Sequence, residues 1–355
     1  MKKDIDAPKE APKKEFDTTE RVLDEIRDIY GDPDPDLETR LVRELIVHAL
    51  KCRRDHLEVL DLKVLSRSMA EFRYASRVFK PYRDRRKVSI FGSARTPEDD
   101  PYYLMAVDFA KRLAEADFMV ITGAAEGIMK AGNVGAGKDK SFGVNILLPF
   151  EQAANTIIGD DPKLITFKYF FVRKLFFLME AHAVALFPGG FGTHDEGFET
   201  LTLIQTGKAP PLPLLYMDLP GEDYWSSFDN FIREQLLRRK LISERDTKLY
   251  KICTSPQEGV DYIRHFYSTY HSMRFVRDRI VIRLEKDLSD DKLAELASEF
   301  SDLVKKGTIE RAGALHEEAN EPELDDKPRL VFALNRQSPT RLYEMILAIN
   351  ELGAR

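Results

Sequence analysis

Cysteine is nearly absent: Cys52 and Cys253 are the two thiols in 355 residues. Two cysteines so far apart build neither a disulfide framework nor a CxxC metal motif, and their scarcity suits a reducing cytoplasm, the expected location of the chain. Long apolar runs are missing as well. None approaches the ~20 residues of a membrane helix, and Met1–Glu20 is charged and without an apolar core, so it does not read as a secretory signal. Positive charge is not in excess. Lys and Arg number 54 against 60 Asp and Glu, a net charge of −6, and no stripe of interleaved basic and aromatic residues is evident. Nucleic acid is therefore disfavoured as a partner, and a membrane is not expected as one. The seven histidines show no HExxH or comparable spacing, so no metal is expected.

What is present is an ordinary globular composition, 43% hydrophobic and 32% charged, with length enough for two or three domains. Residues 1–18, rich in Lys, Asp, Glu and Pro, read as a disordered tail. Residues 19–84 form an N-terminal helical segment. Val22, Ile26 and Ile29 make one apolar stripe and Leu41, Leu45 and Leu50 another, separated by Gly31–Pro35. The basic cluster Arg77, Lys80, Arg83, Arg85, Arg86 and Lys87 reads as a solvated linker, with anion binding as the lesser alternative. Residues 85–270 alternate strands and helices. Strands are expected at Val88–Phe91, Phe118–Ile121, Val144–Leu148, Ala183–Phe187 and Leu212–Tyr216, the last of them. Alternation implies parallel crossovers, hence an α/β fold with a doubly wound parallel sheet of Rossmann-like type. Residues 274–355 read as a small α+β domain. Ile280, Ile282 and Leu284 mark a half-buried strand, a helix follows up to Gly307, Thr308–Glu317 and Arg329–Leu334 give two more strands, and Pro339–Leu352 is a closing helix. That βαββα order suggests a ferredoxin-like sandwich.

Three glycine turns follow strands: Gly92-Ser93, Gly123 to Gly127, and Gly189 to Thr193. In a doubly wound sheet such turns meet at the carboxyl edge, where ligands bind. No GxGxxG follows the first strand and no acidic residue is placed to hold a ribose at the next, so a nicotinamide or flavin enzyme is disfavoured. The organising stretch is Ala183–Phe187 followed by Pro188-Gly-Gly-Phe-Gly-Thr-His-Asp-Glu196, a strand, a tight loop and a helix start. Bare N–H groups at such a helix start can seat a phosphate. The same letters also spell a capping box, Thr193-x-x-Glu196, in which hydroxyl and carboxylate serve only their own helix. Both readings stand at this point. Ser93 and Thr193 read as phosphate donors or as a turn residue and a cap, Met129 as a site residue or as core, and His194 as a surface helix residue rather than a base. The preceding helix, Phe170–Met179, has almost no polar face, so it should be buried in the core or at a subunit interface, and a homodimer or larger homo-oligomer is expected. Arg173 and Lys174 interrupt it and need anionic partners, either Glu180 or Glu199 or a bound ligand.

These stretches resemble the LOG ("Lonely guy") family of phosphoribohydrolases, whose members are often labelled lysine decarboxylases. Pro188–Glu196 is similar to the family's PGGxGTxxE signature and Arg173-Lys174 to its Arg-Lys pair, while Phe91-Gly-Ser-Ala94 and Gly123–Met129 look like two further family segments. The resemblance spans about residues 85–265. It departs at Ala124-Ala125, where many relatives carry glycine, so backbone approach to a phosphate is less free there. The resemblance implies hydrolysis of the N-glycosidic bond of a nucleoside 5′-monophosphate, cytokinin riboside monophosphates among them, giving free base and ribose 5-phosphate without metal or organic cofactor. It implies Glu196 and Arg173 as catalytic residues, with Gly92, Ser93, Gly123, Gly127, Met129, Lys174, Gly189, Gly190, Gly192 and Thr193 binding substrate. The residue types fit that chemistry. Cleavage builds positive charge on the sugar, which a carboxylate beside C1′ stabilises while orienting water. A neighbouring guanidinium would hold phosphate or ribose and keep that carboxylate ionised. The wider superfamily also contains non-hydrolytic nucleotide sensors, molybdenum-cofactor carriers and single-stranded DNA binders, so a binding protein is the alternative. Lysine decarboxylation is rejected, because the glycine loop offers no lysine placed to carry pyridoxal phosphate.

Overall fold

A computed structural model of the chain describes residues 19–31, 33–147, 154–335 and 338–355. The expected tail over 1–18 and the end of the strand expected at Leu148 lie outside the described residues. The chain divides into two units between Ala70 and Glu71. Three helices lead: α1 (Thr19–Gly31), α2 (Leu37–Arg54) and α3 (Val59–Phe79), the last ending inside the second unit. The Asp36 carboxylate accepts from Thr39 N–H at 2.7 Å and starts α2. A left-handed His56 (φ 53°) turns the chain between α2 and α3. The stripe expected at Leu41, Leu45 and Leu50 is present on α2 but exposed.

The second unit opens with a βα alternation: β1 (Lys87–Phe91), α4 (Pro101–Glu115), β2 (Met119–Thr122), α5 (Ile128–Ala136), β3 (Ser141–Ile146), β4 (Leu164–Phe167), α6 (Phe170–Met179), β5 (Ala183–Leu186), α7 (Phe191–Gln205), β6 (Leu214–Met217), α8 (Tyr224–Phe231), β7 (Lys251–Cys253) and α9 (Pro256–Phe266). The seven strands order as β4-β3-β2-β1-β5-β6-β7 and every pairing is parallel. This is the doubly wound Rossmann-like sheet, with its strand order reversing between β1 and β5. Strands β1, β2, β5 and β6 are buried along their whole length, as sheets covered by helices on both faces require. Sequence reading found five of these strands. It missed β4 and β7, the two edges, which are short and only partly buried. Helix α6, expected in the core or at a subunit interface, reaches the core of the single chain with one face only. Val172, Phe176 and Phe177 are buried, whereas Phe170, Phe171, Leu175 and Met179 stay 47–56% exposed. The basic cluster is solvated at Arg77, Lys80, Arg83 and Arg85, as expected, but not at its last two members. Lys87 is buried within β1 and reaches Glu180 at 3.4 Å, and the Arg86 guanidinium stacks 4.3 Å over Tyr267.

The chain closes with β8 (Tyr270–Val276), β9 (Arg279–Leu284), α10 (Asp290–Glu299), β10 (Val304–Ala312), β11 (Arg329–Leu334) and α11 (Pro339–Ala354). The four strands order as β10-β11-β9-β8, all antiparallel. Strands β9 and β10 run parallel on either side of β11 with α10 as their crossover, the split βαβ connection of a ferredoxin-like sheet, while β8 on the outer side of β9 is a strand that the expected βαββα order lacked. Strand β8 was hidden in the Tyr- and His-rich stretch, and the strand expected at Thr308–Glu317 is instead β10, four residues earlier. The two sheets share one continuous core, in which Ile280, Ile282 and Tyr343 join Phe109 and Phe187.

Strand β9 was expected to be half-buried, yet Val281 and Arg283 on its second face are buried too. The segment after β10 folds over that face and carries Glu318. Its carboxylate takes Arg283 Nε at 2.8 Å, Arg329 Nε at 3.0 Å and Leu315 N–H at 3.0 Å. Burial disfavours the charge, but these bonds hold the carboxyl below the usual range. Removing one partner of such a network strands the other charges without water. Glu318→Gln should lower unfolding free energy by about 3–5 kcal/mol in urea titrations; a loss under about 1 kcal/mol would show that the network is dispensable.

Candidate active site

The sheet reverses between β1 and β5, where Phe91 pairs with Leu186. Their carboxyl ends lead into Gly92-Ser93 and Pro188-Gly-Gly190. Ser93 N–H donates to Pro188 O at 3.1 Å, and Ile128 N–H donates to Ser93 O at 3.0 Å. The three glycine turns thus form one bonded unit at one sheet edge. Two glycines are sterically required. At Gly127 (φ +63°) a Cβ would lie 2.3 Å from Ser93 O, and at Gly189 it would lie 2.2 Å from Thr193 Oγ1.

A cavity of about 760 Å³ opens there. Gly92, Ser93, Met129, Arg173, Gly189, Gly190, Gly192, Thr193 and Glu196 all line it. Gly123, Gly127 and Lys174 stand behind that lining. A Cβ on Gly123 would lie 2.7 Å from an Arg173 terminal nitrogen, so the bare glycine makes room for the guanidinium. Arg173 Nε donates to Val144 O at 2.9 Å and its guanidinium packs 4.9 Å from the Phe177 ring centre. Ala124, the position at which the resemblance departs from the family's pattern, takes a left-handed conformation (φ 62°), an uncommon one for alanine.

The capping-box alternative does not form. Gly190, not Thr193, is the N-cap of α7, and no side chain caps it. Thr193 N–H donates to Gly190 O at 3.0 Å, and Glu196 lies more than a turn inside the helix. The first N–H groups of α7 have no intrahelical acceptor and stand at the positive end of its dipole. Glu196 is 7% exposed, and its Oε2 has no hydrogen-bond partner. Lys174 Nζ sits 3.6 Å from that oxygen but is bound more closely to Asp195 at 2.6 Å and Glu199 at 3.0 Å. Of the partners expected for Lys174, Glu199 is realised, while Glu180 pairs with Lys87. Burial pushes the Glu196 carboxyl up to about 7, against the pull of Lys174 and Arg173 and with a further push from Glu199. Burial opposes the Lys174 charge as well, but its bonds to Asp195 and Glu199 raise its pKa overall.

Sequence reasoning missed several neighbours. Arg95, Phe170 and Phe191 line the cavity, the last 96% exposed. His194, expected on the surface, is half-buried against Tyr224, Trp225 and Phe228. Tyr224 Oη contacts both Gly189 and His194. The Tyr224-Trp225 pair was visible, but its approach to a loop thirty-five residues earlier in the chain was not.

The arrangement defines a class: a Rossmann-like α/β domain with an anion-ready helix start and a buried acid at its switch point. Residues 123–263 match the family model described as "Possible lysine decarboxylase", the family that the motifs resemble. Three solved structures are similar in fold. The protein titled TM1055 is 20% identical, covering 50% of this chain and 98% of its own, with a TM-score of 0.37. The molybdenum cofactor binding protein of Rippkaea orientalis is 20% identical over 51% of this chain and 96% of its own, TM-score 0.36. DNA processing protein A of Helicobacter pylori is 16% identical over 51% and 81%, TM-score 0.35. Comparison with curated proteins finds no match. Among the described residues, no helix is long and apolar enough to cross a membrane, and no three His, Cys, Asp or Glu residues are grouped to hold a metal ion.

The raised Glu196 carboxyl makes stability depend on pH. The folded state holds that proton more tightly than the unfolded state, so the contribution is full below the ordinary carboxylate pKa and is lost as pH rises through about 7. Glu196→Gln should therefore match the native protein near pH 4 and exceed it at pH 8 by on the order of 2 kcal/mol. Denaturant titrations at the two pH values measure this, and an unchanged difference would contradict the assigned burial.

Proposed function

We propose that this protein hydrolyses the N-glycosidic bond of a nucleoside 5′-monophosphate, releasing free base and ribose 5-phosphate. One observation carries the reading: a buried carboxylate oxygen without a hydrogen-bond partner lies in the same cavity as a glycine loop at a helix start. The loop Gly190–Gly192 would seat the 5′-phosphate on main-chain N–H groups, with the Thr193 and Ser93 hydroxyls assisting. The Ser93 hydroxyl oxygen accepts from Arg95 N–H at 3.0 Å, leaving its proton free to donate. Arg173 would hold phosphate or ribose and favour the ionised form of Glu196. Glu196 would face C1′, balance the charge that develops as the base departs, and take a proton from the attacking water. The decarboxylase chemistry in the family's description needs a lysine for a Schiff base. Among the described residues no lysine lines the cavity, and Lys174 is held by two acids. The free thiols Cys52 and Cys253 fit a cytoplasmic setting.

The test is base release from AMP, GMP, CMP, UMP and a cytokinin riboside monophosphate. Glu196→Gln and Arg173→Ala should each lower kcat/KM by about 100-fold or more. Full turnover by Glu196→Gln would overturn the assigned role. Nucleotide or molybdenum-cofactor binding without base release would favour a carrier or sensor. Because the working form of Glu196 is ionised and its free pKa is about 7, kcat/KM should fall as pH drops below about 7 and level off above. A profile flat from pH 5.5 to 8 would contradict this.

The exposed face of α6, with Phe171, Leu175 and Met179, is the surface a second copy would cover. Phe171→Glu should shift the sedimentation of an oligomer to that of a monomer; a species unchanged in size would place the interface elsewhere.

A further inference from the structure

The glycine loop is fixed from outside the cavity by a group that no motif announces. Tyr224, the first residue of α8, donates its hydroxyl proton to Gly189 O at 2.5 Å. The Tyr224 hydroxyl oxygen accepts from Gly189 N–H at 3.4 Å and lies 2.9 Å from His194 Nε2. A tyrosine hydroxyl has one proton and two lone pairs. With that proton on Gly189 O, His194 Nε2 must be the donor, so the ring carries its proton there and all four groups are satisfied. The start of α8 is itself anchored. Asp218 accepts from Trp225 N–H at 2.9 Å and from the Tyr102 hydroxyl at 2.5 Å, and the buried Trp225 ring donates to Met217 O at 3.1 Å. The position of Tyr224 is thus set by the end of β6, independently of the loop it holds.

We infer that Tyr224 is a positioning residue for the anion loop, with His194 locking its hydroxyl in place. In a planar trans peptide the C=O and the following N–H point in opposite directions. Holding Gly189 C=O toward Tyr224 therefore turns Gly190 N–H away from Tyr224. Gly189 N–H is also taken by Tyr224, so it is unavailable to a ligand, and the seat consists of Gly190, Phe191 and Gly192 N–H. Glycine at 189 and 190 would otherwise let this peptide flip and present a carbonyl to the anion. The inference rests on the proposed function only in taking this loop as the phosphate seat.

The experiment is calorimetric binding of AMP, ribose 5-phosphate and adenosine to the full chain, with melting curves confirming that each variant is folded. Tyr224→Phe should weaken both phosphate-bearing ligands by about tenfold or more and leave adenosine within about twofold. His194→Gln keeps an N–H donor near Tyr224 and should stay within about threefold of native for AMP, whereas His194→Leu should not. Equal AMP affinity in Tyr224→Phe, or an equal loss for adenosine, would overturn the inference, the second outcome reducing Tyr224 to a general structural role. AMP bound by the native chain but never cleaved would sink the hydrolytic reading and leave this test intact. Failure of the native chain to bind AMP would remove both.

Discussion

The structure depends on the parallel pairing of β1 with β5. At that seam the strand order reverses, so the helices that follow the two strands diverge and leave a crevice at their carboxyl ends. Everything placed in the crevice arrives by short, bonded routes. Ser93 links the first turn to Pro188 and to Ile128, and Tyr224 reaches in from the end of β6. An anion seat made of main chain needs such bracing, because glycine loops have many conformations to lose on folding.

The carboxylate cluster on α7 holds an acid that works against stability. Lys174 serves Asp195 and Glu199 through short contacts and reaches Glu196 only at 3.6 Å. The most buried of the three acids is thus the one farthest from the lysine, and its Oε2 lacks any hydrogen bond. Folding alone gives no reason to retain such a group, since burial of an unpaired charge is costly. The proposed substrate, developing positive charge beside it, would give one. By contrast Glu318, more buried still, is fully bonded and lies far along the chain, where it ties the segment covering the antiparallel sheet to β9.

Much of this was legible in the sequence, and the limits have physical causes. Buried central strands are continuous apolar runs, so β1, β2, β5 and β6 stood out, whereas three- and four-residue edge strands such as β7 and β4 carry too little pattern. Glycine turns after strands announced the convergence of Gly92, Gly127 and Gly189, because topology alone brings such turns together. The competing capping box at Thr193 could not be dismissed from letters; only the N-cap at Gly190 decides it. His194 misled because one half-buried histidine on an amphipathic helix looks like any surface residue until Tyr224 and Trp225 are placed against it. The apolar letters of α6 left core and subunit interface as alternatives, and in the single chain one face is buried while the other remains open.

The central claim is that the Glu196 carboxylate and the main-chain anion seat act on one ligand. A crystal structure of Glu196→Gln with AMP bound tests it most directly. The account predicts the 5′-phosphate on the N–H groups of Gly190, Phe191 and Gly192, with C1′ in van der Waals contact with the residue 196 carboxamide. AMP seated with its sugar turned away from that side chain, or with its phosphate elsewhere, would contradict it.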